Sequence, residues 1–259
     1  MHRRQLPSLI ILKKWLYFID HYVQQTHTPK SGRMASSPGF AYTLETTRLN
    51  LILFDVSNPT HLELSLRLFH DPAFQLNLGD YGLRTQDDVR RLWAATHIRP
   101  ATCPKLLDGP APAGYIMCLK PEHETLYTPA TNSDPAAAFT SPYGKMLGVV
   151  TLALRSASLP PDMGWGLWQE YANNGFASEA GKEALRYWRE ECEIKEIIAW
   201  PKETNIPSVR TAVKLGFVEN GVVFDAEKGD RHACYMLPGM KRFEEGTRIS
   251  FFGEKEEKT

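Results

Sequence analysis

The stretch from Gly164 to Gly216 limits what this chain can fold into more than any other. Gly164-Trp-Gly-Leu-Trp168 reads as a strand, followed by a short polar loop, Gln169-Glu-Tyr-Ala-Asn-Asn174. A helix then opens on Gly175-Phe-Ala-Ser178 and runs to Cys192, with Ala177, Ala180, Ala184 and Trp188 at helical spacing on one face. Asn and Gly tolerate left-handed backbone angles, so such a turn can aim several N–H groups at one point. At a helix N-terminus those groups and the helix dipole form an anion site suited to a pyrophosphate. The small Gly175 and Ala177 leave room for a ligand beside the backbone. A purely steric explanation stands beside this one, because Asn and Gly are common in turns that bind nothing.

The pattern on either side predicts a mixed α/β, or α+β, layered domain. Leu44–Phe54 partly alternates apolar and polar residues and reads as one strand. Asn58-Pro59 fits a cap and first position for an apolar helix that ends near Asp71-Pro72. Thr85, followed by Asp87 and Asp88, opens a second helix. Tyr115–Lys120, Lys145–Arg155, Asp162–Trp168 and Glu196–Trp200 read as strands, and Asn205–Leu215 as a helix stopped by Gly216. Phe217–Phe224 and Ala233–Leu237 are the last two strands. The predicted domain spans 44–240, with loop inserts at 99–114 and 121–144 that are expected to shape a substrate opening. Residues 241–259 read as a loose charged tail.

The 30 basic and 30 acidic residues cancel, which predicts no nucleic-acid and no membrane partner. Residues 1–40 carry six Lys or Arg against the single acid Asp20. The 1–43 extension therefore reads as a disordered tail, as a weak organelle-targeting segment, or as sequence upstream of a start at Met34. Four dispersed cysteines with no CxxC pair fit a reduced, cytoplasmic setting. His232-Ala-Cys234 offers two possible ligands and nothing nearby completes a set, so no metal is predicted. A P-loop and a Gly-x-Ser-x-Gly elbow are absent, and Gln169 stands where a dinucleotide fingerprint needs its third glycine. The sequence sets no oligomeric state.

Tyr171-Ala-Asn-Asn-Gly-Phe-Ala-Ser-Glu-Ala180 resembles the acetyl-CoA pyrophosphate loop of the GCN5-related acetyltransferases (GNAT). The branch it resembles includes ribosomal-protein alanine N-acetyltransferases, where the pattern is Tyr-Trp-Gly-x-Gly-Tyr-Ala-Ser/Thr-Glu-Ala. Asn205-Ile-Pro-Ser-Val209 and Lys214-Leu-Gly-Phe217 resemble the family's second block, and Thr47-Arg-Leu-Asn-Leu51 and Leu147-Gly-Val-Val150 fit the same branch. The resemblance runs from about Leu44 to Leu237. It implies a splayed, mostly antiparallel sheet flanked by helices, acetyl-CoA as co-substrate, and acetyl transfer to a primary amine by direct attack in a ternary complex. The acceptor would be a protein N-terminus or a small-molecule amine.

Carried onto this sequence, the resemblance assigns the pantetheine and the polarised carbonyl to the backbone of Gly166, Leu167 and Trp168. It assigns the pyrophosphate to Asn173, Asn174, Gly175, Phe176, Ala177 and Ser178, and the CoA arm to Asn205. Ala172 and Asn173 depart from the loop pattern, and Ala212 stands where a tyrosine often protonates the departing thiolate. Ser208, on the same helical face as Asn205, becomes the candidate proton donor, and Asp162 the candidate base. Structural roles compete for each: a cap for Asn205, a first-turn serine for Ser208, a turn residue for Asp162, a dipole partner for Glu179, core for Trp165 and Trp168. The departures motivate a second hypothesis, a catalytically silent module of this fold that holds acyl-CoA or a partner protein.

Overall fold

The computed structural model describes residues 39–127, 129 and 134–253. Local chemistry sets most of its element ends. The predicted first strand is a hairpin, β1 (Thr43–Glu45) and β2 (Leu49–Leu53). It breaks because the Thr46 hydroxyl accepts the Leu49 N–H (2.9 Å) and closes a tight turn. Helix α1 (Pro59–His70) starts where the Asn58 side chain accepts the Thr60 N–H, with Pro59 in the first turn. Asp71 ends α1 and at once caps a short α2 (Pro72–Leu78), which the sequence pattern does not anticipate. Helix α3 (Gln86–Ala95) carries a complete capping box between Thr85 and Asp88.

The remaining elements follow in order: β3 (Ala113–Leu119), 3-10 turns at Pro121–Tyr127 and Pro135–Ala138, β4 (Thr140–Ser141), β5 (Gly144–Ala153) and β6 (Asp162–Leu167). Then come α4 (Phe176–Arg186), extended by a π turn at Tyr187–Glu191, β7 (Ile198–Ala199), α5 (Ile206–Lys214), β8 (Val218–Asp225), β9 (Arg231–Met236) and β10 (Arg248–Ile249). They form one sheet in the order β1-β2-β3-β5-β6-β7-β9-β8-β10, with β4 on β5. Its pairs are antiparallel except β6–β7 and β8–β10.

Successive residues of a strand face opposite sides. Met163 packs on Gly181 of α4, whereas Gly166, of opposite parity, lies under Phe74 of α2. Strand β6 is therefore covered by α4 on one side and by the α1–α2 pair on the other; β5 beside it, and β3 beyond β5, are buried on both faces and read as apolar runs without clean alternation. In the core, Phe54 and Trp93 stack 4.0 Å apart, and the Trp93 ring occupies the space a side chain on Gly114 would need.

Both domain ends extend past the predicted limits. Phe40 is buried, the Ala41 N–H donates to the Tyr187 hydroxyl (2.6 Å), and the Ala41 carbonyl accepts from Tyr115. Residues 1–38 of the expected extension, Met34 included, lie outside the described residues. The tail expected from Lys241 is not loose through residue 253. β10 pairs with β8, Phe251 is buried and stacks on Tyr81 (3.8 Å), and Arg155 lies over the Phe251 ring while donating to its carbonyl. The segment's net charge hides Ile249 and Phe251, and these two decide its fate. Replacing a buried Phe by Ala typically costs about 3–5 kcal/mol. Phe251→Ala is expected to lose about that much stability in denaturant unfolding; a loose tail would lose under about 0.5 kcal/mol.

Candidate active site

Strands β6 and β7 meet at a single pair, Asp162 with Ile198, and then part. A cleft of about 500 Å³ opens where they separate. The Trp168 N–H donates to Leu147 O (3.0 Å), and antiparallel residues alternate between bonded and non-bonded pairs. Gly166 and Gly164 are therefore tied to β5, while Trp165 and Leu167 turn their N–H and C=O groups toward the cleft. Of the three residues assigned to the carbonyl and pantetheine, Leu167 has the expected free edge. Gly166 and Trp168 do not, and Trp165 takes their place. Gly166 still lines the cleft, and the Phe74 ring occupies the space a side chain there would need. Trp168 is buried over Phe139, behind the cleft.

Beyond β6 the loop ends in two left-handed residues, Asn173 (φ 63°) and Gly175 (φ 82°), with Asn174 between them. Among the described residues, no acceptor bonds the backbone N–H groups of Asn173 through Ser178. Such a concavity of free N–H groups at a helix N-terminus suits an anion. Asn174 plays an internal part: its side-chain amide donates to the Tyr171 and Ala172 carbonyls (3.2 Å each) and does not line the cleft. Phe176 is buried with its ring in the core and still borders the cleft, which Asn173, Gly175, Ala177 and Ser178 also line.

Arg48 holds this loop from outside. Its guanidinium donates to the Asn174 carbonyl (3.0 Å), pairs with Glu179 (2.6 Å), donates to Tyr127 (2.8 Å) and lies over the Phe176 ring. Glu179 also accepts from the Thr46 hydroxyl and the Arg48 N–H. Burial alone would push the Glu179 carboxyl up, but these hydrogen bonds hold it below the usual range. Glu179 is thus a clamp between the β1–β2 turn and the loop, beyond any dipole contribution. The Tyr171 hydroxyl bonds Asp134, which pairs with Lys145. The 121–144 insert accordingly braces the outside of the loop through Tyr127 and Asp134. No described residue of either insert lines the cleft, contrary to expectation; α1, α2 and Phe251 wall that side.

Asn205 and Ser208 form the opposite lip. The Asn205 side chain accepts the Ser208 N–H (3.2 Å) and caps α5, and the Ser208 hydroxyl has no partner among the described residues. Ala212, one turn on, is fully buried and away from the cleft. Asp162 is a correction to its expected role as base. Both its oxygens are engaged by Arg155 (2.6 and 3.2 Å), and it is buried at the fork where β6 leaves β7. A bidentate carboxylate in that position is a clamp. The sequence presents His232 only as a possible metal ligand beside Cys234; in the structure it is buried and lines the cleft. Its signal was a lone imidazole at the head of an apolar strand.

With the geometry in place, comparison identifies the class. The family described as "Acetyltransferase (GNAT) domain" matches residues 59–218, and the chain belongs to it. It is 38% identical over 60 residues to the uncharacterized N-acetyltransferase YnaD of Bacillus subtilis, and spans only 35% of that relative's length. Two solved structures share the fold. An acetyltransferase from Agrobacterium tumefaciens aligns at a TM-score of 0.51 and 14% identity, over 80% of this chain and 98% of its own. A GNAT-family protein from Bordetella pertussis aligns at 0.50 and 19%, over 76% and 99%.

Removing one partner of a buried ion pair typically costs about 3–5 kcal/mol. Asp162→Ala is expected to lose that much stability in denaturant unfolding. An unchanged unfolding midpoint for Asp162→Ala would contradict the clamp.

Proposed function

We propose that the protein is an acetyl-CoA-dependent N-acetyltransferase that acetylates a primary amine. The observation carrying this reading is the juxtaposition of two sets of unpaired backbone groups, Asn173 to Ser178 on the loop and Trp165 and Leu167 on the strand edge. The first set suits a pyrophosphate. The second suits an extended, amide-bearing arm that pairs as an added strand would. Acetyl-CoA fits both requirements, and when bound it supplies an acyl group activated as a thioester.

The chain's own residues then position and move protons. Trp165 and Leu167 orient the arm, and Asn205 presents the other lip. The free Ser208 hydroxyl is the proton donor to the leaving sulfur. Direct attack by the amine is supported by the cleft's lining, which among the described residues contains no cysteine. Positioning of the two substrates supplies much of the rate. The acceptor is a protein N-terminus or a small-molecule amine, reached from the side walled by α1, α2 and Phe251. Four free, buried thiols support a reducing compartment such as the cytoplasm.

Thermal unfolding with and without acetyl-CoA tests the site. A ligand at one hundred times its dissociation constant stabilises the folded state by about 2.7 kcal/mol. Wild type is expected to shift. Ala177→Asp is expected to fold normally, because an acid in the first turn favours the helix dipole, and to lose the shift by repelling the pyrophosphate. An equal shift in both would place the ligand elsewhere. A shift in wild type without thiol release from any amine would favour the silent acyl-CoA-binding module, a reading motivated by Ala172, Asn173 and Ala212.

A further inference from the structure

We propose that His232 is the general base of this site, its Nε2 taking the proton from the acceptor ammonium; this rests on reading the cleft as an acetyl-transfer site. The imidazole is 2% exposed and lines the cleft. Its Nδ1 lies 2.9 Å from the Trp200 carbonyl, which can only accept, so Nδ1 carries the hydrogen and Nε2 the lone pair. That Nε2 is buried and has no partner among the described residues. An unpaired buried acceptor costs stability, so its retention in a cleft wall calls for a functional partner.

Position and elimination agree. His232 sits opposite Lys202, just past the end of β7, where the cleft opens. The titratable side chains lining the cleft are Arg155, Asp162, Tyr171, Lys202, Arg210, Lys214 and His232. Three lysines and arginines beyond Arg155 are cations, Asp162 is bound by Arg155, and Tyr171 donates to Asp134. His232 alone offers a free lone pair near neutral pH. Burial pushes its pKa down and outweighs the Trp200 hydrogen bond, so the ring is neutral when the acceptor arrives. The charges facing it are Asp225 of β8, whose carboxylate also takes the Tyr81 hydroxyl, and the Lys202–Asp230 pair (2.8 Å).

A reference α-ammonium has a pKa of about 7.7–8.0 and cannot attack until it loses a proton. That first proton passes from the ammonium nitrogen to His232 Nε2, and from the imidazolium to water. The freed amine forms its bond to the acetyl carbon as the carbon–sulfur bond breaks. A second proton leaves the nitrogen and ends on the sulfur. One hydrogen stays on the product amide.

The test uses 2-phenylethylamine and an alanine-starting peptide as acceptors; Phe69, Phe74 and Phe251 on the cleft wall suggest the first. His232→Gln is expected to lower kcat by about 10²–10⁴-fold, the usual weight of general base catalysis. It is expected to keep the acetyl-CoA thermal shift and to abolish the acidic limb of the wild-type kcat/KM profile. Turnover of His232→Gln within threefold of wild type, or an unchanged acidic limb, would overturn the assignment. Nitrogen-15 NMR of wild type keeps the test independent of that variant's folding and of turnover. A non-protonated Nε2 whose resonance moves on adding 2-phenylethylamine is expected; a protonated Nε2, or one indifferent to both acceptors, would overturn the proposal. Wild type that releases no thiol with either acceptor, while Nε2 still responds, would count against the transfer reading and leave His232 as an amine-binding group.

Discussion

The pairing of β6 with β7 stops after one residue, and the site exists because it stops. Backbone N–H and C=O groups taken from water require partners. Past Asp162 the strand edge at Trp165 and Leu167 has none from β7, so any ligand that enters meets a ready line of donors and acceptors. The fork is fixed at its apex by Arg155. That one guanidinium grips Asp162, lies over Trp200 and Phe251, and donates to the Phe251 carbonyl. Strand β6, the segment after β7 and the C-terminal segment thus share one half-buried cation. Such an arrangement suits a cleft whose two lips must keep their spacing while neither is hydrogen-bonded to the other.

The loop at the open end solves a related problem. Its N–H groups are free because the backbone turns left-handed at Asn173 and Gly175, a conformation unfavourable for most side chains. The cost is met by contacts remote in sequence. Arg48 holds the Asn174 carbonyl, Glu179 holds Arg48, and Tyr127 and Asp134 brace from the insert. Asn174 closes the loop on itself. Preorganisation of this kind lowers the ordering cost of binding.

Features written in a few adjacent residues were legible in the sequence. The Asn58 and Thr85 caps, the Gly175 turn and the Gly216 stop are local, and the structure has each where the residues put it. Features set by distant partners were not. Nothing within Gly166–Trp168 reveals which N–H groups face β5; that parity depends on the register with Leu147 and Val149. Asp162 reads as a base until Arg155 is seen holding both oxygens. Phe251 reads as part of a charged tail until Tyr81 is found stacked on it. His232 acquires a defined tautomer only from Trp200, 32 residues away. In each case a neighbour remote in sequence decides the chemistry.

The central claim is that one ligand joins the loop to the free strand edge, and amide hydrogen exchange at single-residue resolution tests it most directly. Addition of acetyl-CoA is predicted to slow exchange at Asn173 through Ser178 and at Trp165 and Leu167, and to leave Gly166 and Trp168, already bonded to β5, as they were. Protection confined to Gly166 and Trp168, or absent from the loop, would contradict the account.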